Sequence, residues 1–255
     1  LGAPFMLRTL VLPILALLLL LYAKLGKRTA TFKLNYGEVR VDISFFLISY
    51  ALALTCAVIP SKLFHVVVAA VLLGMYVYYM KLKFSAEDEE GEGGSELEPL
   101  LFARRSSRPS YLVIGAQGVV GLLGLVGGAH LFVTAANSIS AEMQVSPLIL
   151  ALLIAPLATE LPEMSNSFLW LYRKKDRLAV GNVTGAMVFQ GSIPVSVGLL
   201  GTEWTLGTTA LATMVLAMSL SLLQAVWSGH WRPWLLSGSA LLYLGYTLFL
   251  YAHGS

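Results

Sequence analysis

Two carboxylates, Glu160 and Glu163, stand in the run Pro156-Leu-Ala-Thr-Glu-Leu-Pro-Glu163, inside a long apolar stretch. A charge at the centre of a bilayer costs roughly 2.5–3.5 kcal/mol on insertion scales. Side chains three residues apart share a helix face, so two ionised carboxylates here would repel each other while losing their hydration. A bound cation, a proton or a cationic side chain must offset that. Nearly all Lys and Arg read as loop residues and none as a partner inside a span, so a cation or a proton is the expected partner. Pro162 has no amide hydrogen for the carbonyl of Ala158, and Pro156 has none for that of Leu152. Freed carbonyls at membrane depth persist where they line a cavity or meet a ligand. Thr159, four residues before Glu163, adds a hydroxyl on the same face. Carboxylate, hydroxyl and carbonyl oxygen together make the ligand set that hard cations such as Ca²⁺ or Na⁺ require. The plain alternative is a proline kink whose carboxylates stay protonated and serve helix packing.

The next apolar segment opens Gly181-Asn-Val-Thr-Gly-Ala-Met-Val-Phe-Gln190. Asn182, Ala186 and Gln190 recur every four residues and fall near one stripe of a helix, so two amides can add neutral oxygens to the site. Gly181 and Gly185 form a small-xxx-small pair, expected to act in helix packing by admitting a neighbouring backbone.

The elements that must carry these residues are membrane spans. Of 255 residues, 57% are apolar and 12% charged, where a soluble domain carries about 25% charged residues. A spanning helix needs roughly 20 apolar residues. The chain reads as an all-α polytopic membrane protein with about eight transmembrane helices: 5–23, 43–59, 63–80, 111–136, 146–172, 179–200, 206–227 and 233–251. Pro60-Ser-Lys62 joins the second and third as a hairpin. Of the 17 Lys and Arg, all but Arg8 and Lys62 fall in alternate loops, after the first, third, fifth and seventh spans. That asymmetry expects those loops in the cytoplasm and both chain ends outside. The formal charge of +3 belongs to these flanking anchors, and no nucleic acid partner is expected. Trp204, Trp227, Trp231 and Trp234 lie at span ends and read as interfacial anchors. The single cysteine, Cys56, permits no internal disulfide and reads as a packing residue.

The domain organisation follows. Residues 1–84 hold three spans, 85–110 form an acidic, glycine-rich cytoplasmic linker, and 111–255 hold five spans. The linker run Glu87-Asp-Glu-Glu-Gly-Glu-Gly-Gly94 is too poor in apolar residues to fold alone. It lacks the spacing of an EF-hand and reads as a solvated tether.

With these residues in place, Ala158-Thr-Glu-Leu-Pro-Glu163 and Gly181-Asn-Val-Thr-Gly-Ala-Met-Val-Phe-Gln190 resemble the α-repeat motifs G-T-S-x-P-E and G-N-x-x-G-S-N-x-x-N of the cation/calcium antiporter superfamily, which includes the sodium/calcium exchangers. The stretch Gly128-Ala-His-Leu-Phe-Val133 is similar to the helix that precedes the repeat. The resemblance covers about residues 111–251. It implies an inverted-repeat antiporter fold of two five-helix halves with one α-repeat in each. The five spans after the linker correspond to one half. The three before it correspond to the last three helices of the other, which is then incomplete. Gly2-Ala-Pro-Phe-Met-Leu7 aligns with Gly185–Gln190 as a degenerate second motif, which implies a missing N-terminal half of the same protein as a partner. By position, Glu163 is implied as the main cation-ligating carboxylate, with oxygen from Thr159, Glu160, Gln190 and Asn182 and from the backbone carbonyl of Pro156. Glu160 stands where the family has serine, and Ala186 where it has a ligating serine.

The function this implies is secondary active antiport, Ca²⁺ exchanged for Na⁺ or H⁺ by alternating access, in the cell (plasma) membrane. No enzymatic activity and no cofactor are expected; the partners are membrane lipid and the transported cations. A truncated, non-transporting regulatory half is the main alternative. An intramembrane hydrolase is another, disfavoured because His65, His130, His230 and His253 are scattered and no HExxH motif exists. His130, ahead of the glutamate span, reads as a packed, hydrogen-bonded histidine.

Overall fold

The computed structural model describes residues 1–90, 100–103, 110–143, 159–226 and 231–253. Every regular element among them is helical: α1 (Gly2–Lys24), α2 (Tyr36–Val58), α3 (Lys62–Glu90), a 3-10 turn at Leu101–Ala103, α4 (Tyr111–Met143), α5 (Leu161–Tyr172), α6 (Asp176–Gly201), α7 (Thr208–Val226), α8 (Pro233–Gly238) and α9 (Ala240–His253). Six described stretches are long and apolar enough to cross a membrane: Gly2–Lys24, Tyr36–Val58, Lys62–Ser85, Tyr111–Gly128, Asp176–Gly201 and Thr208–Val226. Together with the unbroken helicity they make this an integral, all-α polytopic membrane protein. Of the remaining two expected spans, the fifth is described only from residue 159 on, and the eighth consists of α8 and α9, broken at Ser239.

The chain forms two compact units, Leu1–Met80 with Leu148–Ser255, and Lys81–Pro147. In the second unit α3 runs on to Glu90, into the acidic run. The Phe102 amide donates to Gln117 Oε1 on α4 (3.1 Å). His130 lies on α4, exposed, its carbonyl taking the Thr134 hydroxyl (2.9 Å).

The first unit is organised around α6, which packs on α2 along one side and α5 along another. The closest approach to α2 is at Gly191, where an added Cβ would lie 3.4 Å from the rings of Phe46 and Tyr50. At Gly181 a Cβ would meet nothing within 4 Å, and at Gly185 it would meet the Tyr79 hydroxyl at 3.4 Å.

Local chemistry explains how these helices begin and end. Asn35 caps α2, its carboxamide oxygen taking the Gly37 amide (3.1 Å) and its nitrogen donating to the Glu38 side chain (2.8 Å), an N-cap asparagine meeting an otherwise unpaired first-turn amide. At the other end of α2, Pro60 has no N–H for the Cys56 carbonyl. His65 Nε2 takes its place, 2.9 Å from that carbonyl and 3.0 Å from the carbonyl of Ile59. This histidine therefore closes the hairpin, and Cys56 beside it is buried packing. Lys62, at the start of α3, caps α6 by donating to the carbonyls of Leu199 (3.1 Å) and Leu200 (2.8 Å). A cation is favoured at a helix C-terminus.

Three expectations change here. Against the expectation that no Lys or Arg acts inside a span, Arg8 is 5% exposed within α1 and donates Nη2 to the Leu220 carbonyl on α7 (2.9 Å). Pro13 offers no N–H to Thr9, and just before it α1 widens into a π-helical turn at Leu7–Val11 that holds Arg8. Such turns are where a helix absorbs a missing backbone bond. Asp42, placed just before a span by sequence, is 1% exposed within α2 and takes the hydroxyls of Tyr79 (3.0 Å) and Thr184 (2.6 Å). Trp204 is no free interfacial anchor: it folds back over Gly198, where a Cβ would sit 2.5 Å from its ring, and donates Nε1 to the Ala53 carbonyl (3.0 Å). Trp231 is likewise buried, whereas Trp234 is exposed, as an anchor should be. Trp227 and His230 lie outside the described residues.

The ends of α1 and α5 meet. Arg28 donates Nη1 to the Leu171 carbonyl (3.1 Å) and Nη2 to Asp176 (2.5 Å), which also accepts the Lys33 amide (2.8 Å). Arg177 pairs with Glu38 (2.5 Å). The connection after the first span and that after the fifth thus share one end of the bundle, as their common basic character requires. The Asp176 side chain is fully buried. Removing one partner of a buried pair strands the other charge, at about 3–5 kcal/mol. Asp176→Ala should therefore lower the unfolding temperature of the detergent-purified protein by many degrees, and an unchanged melting curve would show that the pair does not hold the end of α1 to the start of α6.

Candidate functional site: the carboxylates between α5 and α6

Helix α5 begins at Leu161, one residue after Glu160. Pro162 explains the position. Proline is well tolerated in the first turn, where its missing N–H would have no intrahelical partner. Glu160 is therefore the N-cap, and Glu163 lies in the first turn. The positive end of the helix dipole faces both carboxylates. The broken backbone that Pro162 predicts is realised as a helix start. Pro156 and its carbonyl lie outside the described residues.

Glu160 is 3% exposed. Its Oε1 accepts the Gln190 carboxamide from α6 (2.7 Å) and the Thr159 hydroxyl (3.3 Å). Its Oε2 is buried without a hydrogen-bond partner. Glu163 is half-buried, and its Oε2 is likewise buried and unpartnered. Gln190 Oε1 is the third such oxygen. The structure thus brings Glu160, Thr159 and Gln190 into one hydrogen-bonded group with Glu163 one helical turn from Glu160, and leaves three acceptor oxygens on these residues unmet. An unmet buried acceptor costs about 1–3 kcal/mol, more for a charged group. A cation or protons would satisfy them.

Asn182 takes a different place. Its nitrogen donates to the Glu163 carbonyl (3.0 Å) and to the Ser167 hydroxyl (3.0 Å), bracing α5 against α6. Ser167, read from sequence as packing, is fully buried and is one end of that brace. Thr184, two residues on, reaches Asp42 instead (2.6 Å). Nothing in the spacing of the motif distinguished Asn182 as brace from Gln190 as lining, since both lie on one stripe. Among the described residues no three of His, Cys, Asp and Glu converge. The lining is two carboxylates with an amide and a hydroxyl, a hard-oxygen set rather than one suited to softer metals.

A family model described as "Sodium/calcium exchanger protein" matches residues 115–252, which include all of these side chains. The chain belongs to the sodium/calcium exchanger family. "Uncharacterized membrane protein MJ0091" of Methanocaldococcus jannaschii is 25% identical over 178 residues, covering 69% of this chain and 56% of that protein. "Putative antiporter CaxA" of Alkalimonas amylolytica is 32% identical over 82 residues, covering 32% of this chain and 26% of that protein. The exchanger-family chain thus matches little more than half the length of the first of these relatives and about a quarter of the second. No solved structure matches it.

In this exchanger-family site the brace and the lining are separable by mutation. Asn182→Leu removes the α6 amide that donates to α5 and should cost about 1–3 kcal/mol through the Glu163 carbonyl and Ser167 hydroxyl it leaves without that donor. Thermal unfolding in detergent measures it. A variant as stable as the parent would mean that Asn182 does not brace the two helices.

Proposed function

We propose that this protein is a secondary active cation antiporter, exchanging Ca²⁺ for Na⁺ or H⁺ by alternating access. The observation that carries the reading is the set of three buried acceptor oxygens, Glu160 Oε2, Glu163 Oε2 and Gln190 Oε1, left without donors between α5 and α6. Ca²⁺ takes six to eight oxygens and accepts mixed carboxylate, amide and carbonyl ligands. Two carboxylates balance a divalent ion. Na⁺ or protons can occupy the same oxygens when Ca²⁺ leaves, which is the exchange condition. The Pro156 carbonyl and Thr159 would add neutral oxygen, and an opposing α-repeat in an inverted-repeat architecture would complete the shell. Glu160, in place of the family's serine, gives the site a carboxylate beyond Glu163 and favours higher charge or a bound proton.

The reading places the protein in the cell membrane, with the α1–α2 and α5–α6 connections and the acidic linker on the cytoplasmic side and both ends of this chain outside. Transport, rather than catalysis, is its activity, and it needs no cofactor. Radioactive calcium uptake into vesicles holding the full-length protein tests this, with Na⁺ or H⁺ gradients imposed in turn. Uptake should follow one of the gradients, and Glu163→Gln should abolish it while the protein still folds. Absence of uptake under both gradients, or uptake unchanged in Glu163→Gln, refutes calcium exchange and leaves the regulatory reading.

A further inference from the structure

The end of the bundle where α1 and α5 stop holds a cavity of about 390 Å³ lined by Tyr22, Lys27, Arg28, Tyr172 and Lys174. Both helices finish with a residue in the left-handed conformation, Gly26 (φ 70°) and Lys174 (φ 61°). The tight turns this makes are closed by Lys27 N–H to the Tyr22 carbonyl (2.9 Å) and Lys175 N–H to the Trp170 carbonyl (2.9 Å). The two caps bring Lys27 and Lys174 to the cavity. Such a conformation costs a non-glycine residue about 1–2 kcal/mol, yet lysine occupies it at position 174.

The lining offers donors and positive charge and no carboxylate. Asp176 stands behind it, bonded to Arg28 Nη2 and the Lys33 amide. Arg28 Nε, in a side chain 8% exposed, is buried and has no acceptor. Lys27 and Lys174 have no ion-pair partner among the described residues. Tyr22 and Tyr172 stand edge to face, ring centroids 6.2 Å apart. Two lysines, the Arg28 guanidinium and two phenols line a site for a phosphate group.

Its position selects the source of that phosphate. Leu17 and Leu21, before Tyr22 on α1, and Leu25 at the helix C-cap recur every four residues and are 50%, 49% and 58% exposed. They form an apolar stripe on a spanning helix that ends at the cavity. Tyrosine and lysine at a span end lie at headgroup depth, with exposed leucines facing acyl chains. We propose that this cavity binds the phosphodiester headgroup of an anionic membrane lipid, its acyl chain lying along Leu17, Leu21 and Leu25. The site is separate from the carboxylates between α5 and α6, and neither proposal depends on the other. By gripping the ends of α1 and α5 together, the lipid would reinforce the contact made by Arg28.

The test uses the full chain in detergent, with phosphatidylglycerol or phosphatidylcholine titrated in and unfolding temperature read out. Phosphatidylglycerol should raise the melting point by several degrees more than phosphatidylcholine. The double variant Lys27→Gln, Lys174→Asn removes two exposed charges, and asparagine tolerates the left-handed turn. It should weaken the apparent affinity about tenfold or more with little change in lipid-free stability. Leu21→Ser, which leaves the charges in place, should weaken the lipid effect and leave any response to inorganic phosphate unchanged. Equal responses to the two lipids, or an undiminished phosphatidylglycerol effect in the double variant, overturns the proposal. So does a stabilisation that inorganic phosphate alone reproduces in full, which would assign the cavity to a soluble anion.

Discussion

Oxygen atoms that leave water for the interior of a membrane protein must find donors or cations, and that requirement governs the α5–α6 contact. Glu160 is held by the Gln190 amide (2.7 Å) across the two helices. Asn182 on the same α6 stripe secures the Glu163 carbonyl and Ser167. With α5 fixed in this way, the remaining carboxylate oxygens have no protein donor. The hydrogen bonds thus do two opposite things: some close the interface, and their exhaustion leaves the site open to a cation. Replacing the lining by apolar residues would relieve the desolvation cost but erase the site.

Elsewhere in the first unit the same accounting explains features that look unrelated. Pro60 denies Cys56 a partner, and His65 supplies one. The last turn of α6 exposes carbonyls, and Lys62 meets two of them. Pro13 interrupts α1, and a π-helical turn beside it holds Arg8 against the Leu220 carbonyl. Asp42 is satisfied by hydroxyls of Tyr79 and Thr184. In each case a backbone or side-chain group that cannot reach water recruits a polar residue from another element. Polar residues are scarce in this chain, so few are left merely to decorate the surface of the bundle.

The central place of α6 makes these solutions compatible. Its small residues face α2 at Gly191, its amides face α5, and Trp204 folds back over Gly198 at its end. Movement of α5 relative to α6 would change the geometry of the carboxylates directly. Movement of α1 is tied to α5 through Arg28 and the Leu171 carbonyl, and to α6 through Arg28 and Asp176. A lipid held at that junction would act on the same pair of helices from the end opposite Lys62.

The amino-acid sequence alone determined the membrane class, because apolar runs and alternating basic loops depend on composition along the chain and not on contacts. It also determined that Glu160 and Glu163 lie beside a proline that interrupts the span, since proline chemistry is local; that Glu160 is the N-cap of α5 and Glu163 lies in its first turn came from the structure. Residues 181–190 were legible as a polar stripe for the same reason. Only the tertiary structure decided which amide of that stripe lines the site and which braces it, because Asn182 and Gln190 differ in what lies opposite and not in their own spacing. It alone brought Arg8, Asp42 and Trp204 inside, where each finds a hydrogen-bond partner on a distant helix. And it alone joined Arg28 to Asp176, a contact between residues far apart in the chain that no local pattern encodes.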